Sequence, residues 1–131
     1  MNLLFPTNRH GDNMTKMVIT PVKIENRLYE LSHEVDQAHE QLSKAELEYH
    51  KAKSAFELAI ARARILTGNA SAKMRVQDVA DHALLQCYDE FQSLQITEAM
   101  VKAARANAQR IRTQVDIARS IGTSVRASMD I

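Results

Sequence analysis

The chain has 131 residues, of which 45% are hydrophobic, and it contains no tryptophan and only three glycines and two prolines. This composition favours long helices and argues against a core built around large aromatic rings. The 17 basic and 16 acidic residues nearly cancel, so net charge favours neither a nucleic acid nor a membrane as partner. The lone cysteine excludes an internal disulfide, which fits a reducing compartment, and no apolar run is long enough to cross a bilayer.

The first nineteen residues differ from the rest of the chain. They show no hydrophobic period and include Pro6, Gly11 and three methionines. They lack the charged start and long apolar run of a signal peptide. The sequence predicts a poorly ordered leader over residues 1–19, and Met14 or Met17 would serve as an alternative translation start.

A long helix is predicted over residues 21–67. Thr20 can cap its N-terminus, and Pro21 suits the first helical position, where the missing N–H costs nothing. Two heptad lines without a charged residue follow, which is typical of a coiled-coil seam. The lines are Leu28, Val35, Leu42, Tyr49, Phe56 and Ala63, and Ile24, Leu31, Ala38, Ala45, Ala52, Ala59 and Leu66.

The stretch ILTGNASAK contains the one glycine between Val22 and Ile121. Gly68 suits the left-handed residue that ends a helix, and Asn69 or Ser71 can cap the next helix. We therefore predict a turn at 68–71 and a second helix at 72–128. Its heptad lines are Ala80, Cys87, Leu94, Val101, Ala108, Val115, Gly122 and Met129, and Ala83, Glu90, Thr97, Ala104, Ile111, Ala118 and Val125.

A turn this short joins antiparallel neighbours, so residues 20–128 are predicted to form one helical hairpin. Pairing residues whose numbers sum to 139 places large side chains opposite small ones along most of the seam, as with Phe56 and Ala83. The same register sets Tyr49 opposite Glu90. The phenol could then donate to the carboxylate and pin the register.

A two-helix hairpin buries little apolar area for its length and would be marginally stable alone. Apolar side chains off the seam suggest that it self-associates. The predicted fold class is therefore all-α: a long antiparallel two-helix coiled-coil hairpin, assembled as a dimer into a four-helix bundle. We assign the oligomer interface to a tip patch of Ile60, Leu84, Tyr88 and Phe91.

No catalytic, cofactor-binding or metal-binding residue is predicted. The segment His33–Gln37 resembles a zinc helix motif, but glutamine stands where the second histidine is required. Cys87 lies on the seam, where a small buried hydrophobe is more expected than a nucleophile. Three scattered glycines cannot build a phosphate-binding loop, so we expect a protein that is not an enzyme.

Arginines recur every seven residues along one flank of the second helix. Mutual pairing with the acidic first helix is the simpler interpretation of this stripe, and contact with nucleic-acid phosphates or an acidic partner is the alternative. Arg119 and Arg126 are predicted to extend past the start of the first helix, where no acidic neighbour reaches them. The arginine stripe comprises Arg105, Arg112, Arg119 and Arg126.

The chain after the leader resembles a family of small, alanine-rich helical proteins from temperate phages of actinobacteria. The positions that carry the resemblance are Ile19-Thr20-Pro21, Gly68, Ala103–Arg105, Ile111, Gln114 and Val125-Arg126-Ala127. The leader departs from the family pattern. The resemblance implies phage origin, action in the cytoplasm of the host cell, and a setting among recombination and replication genes.

We therefore expect a non-catalytic coiled-coil module that serves phage DNA recombination or replication by binding a partner protein. Two alternatives remain open. One is an inhibitor of a host defence or host metabolic protein. The other is direct binding of single-stranded nucleic acid through the arginine stripe, which would be steeply salt-dependent.

Overall fold

The computed structural model describes residues 18–70 and 75–130, and nearly all of these are helical. Helix α1 spans Pro21–Ala70, α2 spans Val76–Gln86 and α3 spans Tyr88–Met129, with no β-strand among the described residues. The all-α prediction is confirmed. The described chain divides into two compact units, unit 1 formed by residues 18–34 with 111–130 and unit 2 by residues 35–110.

Helix α1 begins where the sequence predicts. The Thr20 hydroxyl accepts a hydrogen bond from the backbone N–H of Lys23 at 3.2 Å, and the Thr20 carbonyl accepts one from the N–H of Ile24 at 3.1 Å. The first contact satisfies a donor that a helix start would otherwise leave open, and the second is the first backbone hydrogen bond of the helix. Residues 18–20 precede the helix, and the rest of the predicted leader lies outside the described residues.

The predicted turn at 68–71 differs from the structure. Gly68, Asn69 and Ala70 are still helical, and no described residue has a positive φ. Glycine permits a left-handed helix end but does not require one, since a helix passes through it at a cost of about 1 kcal/mol relative to alanine. Helix α1 therefore ends three residues later than predicted. The predicted cap Ser71 and residues 72–74 lie outside the described residues.

Within the described residues the predicted second helix begins at Val76, because Arg75 is extended with φ −68° and ψ 153°. It is then interrupted at Cys87, which has φ −101° and ψ 28°. Its N–H is shared between the carbonyls of Ala83 and Leu84, at 3.1 Å each. The Phe91 N–H then donates to the Cys87 carbonyl at 2.9 Å, so hydrogen bonding resumes at once. The interruption is one residue wide. Helix α3 ends at Met129, one residue beyond the predicted end.

In unit 2 the buried core combines α1 with α2 and the residue that follows it. Its members are Ile60, Ala63, Ala83 and Cys87. Phe56 packs against them, and its ring lies 5.8 Å from that of Phe91. Because later residues of α1 meet earlier residues of the second half of the chain, the two segments run in opposite directions within this unit.

In unit 1 the start of α1 packs against the second half of α3. Ile24, Leu31 and Ile111 are buried, as is the backbone at Gly122. A methyl group added at Gly122 would lie 3.2 Å from the Ile24 Cγ2 atom. Glycine therefore allows a close approach of two helices here.

The predicted register is wrong by one heptad. Ile24 meets Gly122, whereas the predicted sum of 139 sets Ile24 against Val115. In unit 2, Ala63 and Ala83 share one core. In each pair the two residue numbers sum to 146, seven more than the predicted sum. A slip of seven residues brings the same two heptad lines together, because the pattern repeats at that interval.

Burial follows the predicted heptad lines. All buried hydrophobic residues lie on these lines with the exception of Ile60, which sits one position beside the seam. Leu66 and Met129 lie on the lines but are exposed. The heptad pattern therefore identified the buried face of each helix, although not the register.

The two helical glycines offer a matched test of the close approach. Gly122→Leu should lower the free energy of unfolding by about 1–3 kcal/mol, because the Ile24 side chain and the Arg126 guanidinium already crowd the added Cβ atom. Gly68→Leu meets nothing within 4 Å and should be neutral or stabilising through helix propensity. Urea unfolding followed by circular dichroism measures both. Equal effects at the two positions would contradict the unit 1 packing.

Candidate interaction surfaces

The predicted tip patch is only partly available to another chain. Ile60 is 8% exposed within the unit 2 core, and Phe91 is half-buried against Phe56. Leu84 at 39% and Tyr88 at 58% remain exposed. Two of its four members, Ile60 and Phe91, are therefore packed within unit 2. Ile60 belongs to the core with Ala83 and Cys87, and Phe91 lies against Phe56.

A second apolar surface of unit 2 is an open groove of about 490 Å³ between α1 and α3. Ala45, Ala103 and Ala104 line it together with Met100, whose side chain is 53% exposed. We call this the alanine groove. Its polar lining residues are Gln41, Lys44, Glu48 and Asn107. Met100 lies off both heptad lines in the sequence, but the groove beside it depends on the register.

Two members of the arginine stripe make contacts within their own unit. Arg105 Nη2 lies 3.5 Å from the Glu46 Oε2 atom. Arg126 donates from Nε to the Gly122 carbonyl at 3.3 Å. Arg112 and Arg119 are exposed, and no ion pair of theirs is among the described contacts. The stripe therefore offers fewer uncommitted guanidinium groups than its sequence suggests.

The predicted overhang of the second helix is also corrected. In the predicted register Gly122 has no partner on the first helix, and Arg119 and Arg126 extend past its start. Instead Gly122 packs against Ile24 near the start of α1. The slip of one heptad accounts for the difference, because it places this part of α3 beside the start of α1.

The proposed pairing of Tyr49 with Glu90 depended on the register in which paired residue numbers sum to 139, and the structure has a different register. Tyr49 lines a depression of about 210 Å³ with Glu98, Val101 and Arg105, while Glu90 is half-buried elsewhere in the same unit. The tyrosine ring lies 5.4 Å from that of His50. With a shift of seven residues, Tyr49 falls near Glu98 in place of Glu90.

Sequence reasoning missed Arg27. Its guanidinium lies 3.2 Å from Glu30 and 3.1 Å from Glu34, and it also donates to the side-chain oxygen of Gln114 at 3.4 Å. The contact with Gln114 links α1 to α3 inside unit 1. These groups are substantially exposed, so each ion pair contributes no more than ~1 kcal/mol. The i to i+3 spacing to Glu30 was readable in the sequence, whereas the contact with Gln114 depends on how the two helices pack in unit 1.

The chemical groups are dispersed over the described residues. Within residues 18–70 and 75–130, no three or more His, Cys, Asp or Glu side chains are grouped to hold a metal ion. Cys87 is a free thiol at 4% exposure in the unit 2 core, the environment expected for it. None of the described helices combines the length and apolar character that a membrane span requires.

Comparison of the chain with protein-family models, with curated proteins and with solved structures gave no match.

Proposed function

We propose that this chain is a non-catalytic helical module that acts by binding other proteins. The observation that carries the proposal is the imbalance of apolar burial. Among the described residues, 17 large hydrophobic side chains are exposed, whereas five large aliphatic ones are buried: Ile24, Leu31, Ile60, Val101 and Ile111. Contiguous exposed apolar patches mark sites where proteins bind other polypeptides, and we propose that these side chains contribute to such patches.

The architecture we propose is one long hairpin that pairs with a second copy as a four-helix bundle. In each unit a segment of α1 packs against a segment of the second half of the chain, and in unit 2 the two run in opposite directions. Self-association would cover apolar side chains that a single hairpin leaves in water, each buried CH₂ group contributing about 0.8 kcal/mol.

The further partner we propose is a phage or host protein, met in the cytoplasm of the host cell. Recombination or replication of phage DNA is the process that the phage resemblance favours. Exposed arginine is common at protein interfaces, so Arg112 and Arg119 are the residues to which we assign this contact.

A protein partner is favoured over single-stranded nucleic acid by the state of the arginine stripe. Arg105 is engaged by Glu46 and Arg126 by a backbone carbonyl. Binding of single strands ordinarily combines a positively charged groove with aromatic side chains on which bases stack. The segment from Lys102 to Asp130 contains no Phe, Tyr or Trp.

The test is capture of partners by the tagged full chain from phage-infected host cells. We expect a recombination or replication protein to copurify with the wild type and to be lost with Arg112→Glu/Arg119→Glu. The double variant Arg62→Glu/Arg64→Glu is the matched control. It makes the same change of charge at two exposed arginines of α1 and should retain the partner.

Fluorescence anisotropy with a labelled oligonucleotide separates the alternatives. We expect no binding of single-stranded DNA at low salt. Binding that falls steeply with salt and is weakened by Arg112→Glu/Arg119→Glu would replace the proposal with the nucleic-acid reading. Copurification of a host defence or metabolic protein, in place of a recombination protein, would instead identify an inhibitor.

A further inference from the structure

The alanine groove of unit 2 has a small-residue floor beside a protruding apolar side chain. Ala45 of α1 and Ala103 of α3 leave space at the surface, and Met100 stands at the edge of that space with half of its side chain exposed. Methionine is flexible and fills irregular gaps well. One surface therefore presents both an insertable side chain and a cavity able to receive it.

The rim of the groove is complementary to itself in charge. Lys44 and Glu48 lie one helical turn apart on α1, and both line the groove. Their present partners are neighbours on the same helix, Glu40 at 3.2 Å from Lys44 and Lys51 at 3.6 Å from Glu48. Such exposed pairs contribute little and exchange readily.

We propose that a second copy of this chain docks on the alanine groove about a two-fold axis. Each Met100 then packs over the alanines of the other copy. Where the two α1 helices run antiparallel across the axis, Lys44 of each copy meets Glu48 of the other. A two-fold interface requires one patch that complements itself, which this rim and floor provide. The proposal rests on the self-association included in the proposed function and assigns its surface.

The rim also argues against a strongly charged partner at this place. Lys44 and Glu48 cancel in charge, and the amides of Gln41 and Asn107 both donate and accept hydrogen bonds. One of these two charges would attract a highly acidic or basic partner, and the other would repel it. A second copy finds each group matched.

Sedimentation equilibrium of the full chain over a range of concentrations tests the proposal. The wild type should be a dimer. Met100→Glu and Ala103→Glu should each raise the dimer dissociation constant about tenfold or more, because each places a carboxylate where apolar surface would be buried. Leu47→Glu is the matched control, since Leu47 is 55% exposed but is not part of the groove. It should leave the dimer intact, and circular dichroism should show that all variants keep their helix content.

A charge exchange tests the orientation of the two copies. Lys44→Glu alone should weaken the dimer, and Lys44→Glu with Glu48→Lys should restore it. A dimer that survives Met100→Glu and Ala103→Glu but dissociates with Leu84→Glu and Tyr88→Glu would overturn the groove in favour of the remaining tip patch. A wild type that stays monomeric would also overturn it, while partner capture by Arg112 and Arg119 would still be testable separately.

Discussion

Leu31→Ala is expected to lower the free energy of unfolding by about 2–5 kcal/mol, the range found when a fully buried leucine is truncated. Leu31 is 1% exposed and is the largest fully buried side chain among the described residues. The core of unit 1 contains few other large side chains, so neighbouring groups can do little to fill the cavity. The expected loss is a large fraction of the total free energy of unfolding of a small helical protein.

Urea unfolding followed by circular dichroism measures this change, at one protein concentration because self-association adds to apparent stability. Leu47→Ala is the control. The same atoms are removed from a side chain that is 55% exposed, so the change should stay within ~0.5 kcal/mol. A comparable loss at both positions would show that the heptad face containing Leu31 is not the buried one.

Phe56→Ala is expected to destabilise by about 2–4 kcal/mol, somewhat below the range for a fully buried ring because Phe56 is half-buried. The informative quantity is its coupling to Phe91, whose ring centroid lies 5.8 Å away at an interplanar angle of 55°. A double-mutant cycle with Phe91→Ala should give a coupling energy of about 0.5–1.5 kcal/mol, as for other aromatic pairs. Unfolding of the four proteins in urea supplies the cycle.

The same residues discriminate between the two registers. In the predicted register Phe56 lies opposite Ala83, and adding Ala83→Phe to Phe56→Ala would recover stability. In the structure Ala83 is 0% exposed among Ile60, Ala63 and Cys87, so that addition should destabilise further by overpacking. Recovery on adding Ala83→Phe, together with additivity of Phe56→Ala and Phe91→Ala, would favour the predicted register and contradict the structure.

Secondary structure and the buried face of each helix followed from the sequence. Thr20 and Pro21 marked the start of α1, and heptad spacing identified positions such as Leu31 and Ala83 as buried. These features depend on near neighbours in the chain, which a single sequence displays. The helix end was less well predicted, because Gly68 is compatible with both a turn and a continuing helix.

Register and surface exposure depended on contacts between distant parts of the chain. A heptad pattern shifted by seven residues brings the same two lines together, and alanine-rich lines penalise the shift weakly. With that shift Ile24 packs against Gly122, Arg105 forms an ion pair with Glu46, and the Phe56 ring packs against that of Phe91.

By itself, the sequence determined an all-helical chain with one apolar seam per helix, because helix periodicity and capping are local properties. Only the tertiary structure decided which apolar side chains stay outside that seam. Ile60 is buried in the core and Met100 is exposed, although both lie beside the seam in the sequence. The physical reason is that burial of a flanking residue depends on the residue opposite it, and the opposing residue is set by long-range packing.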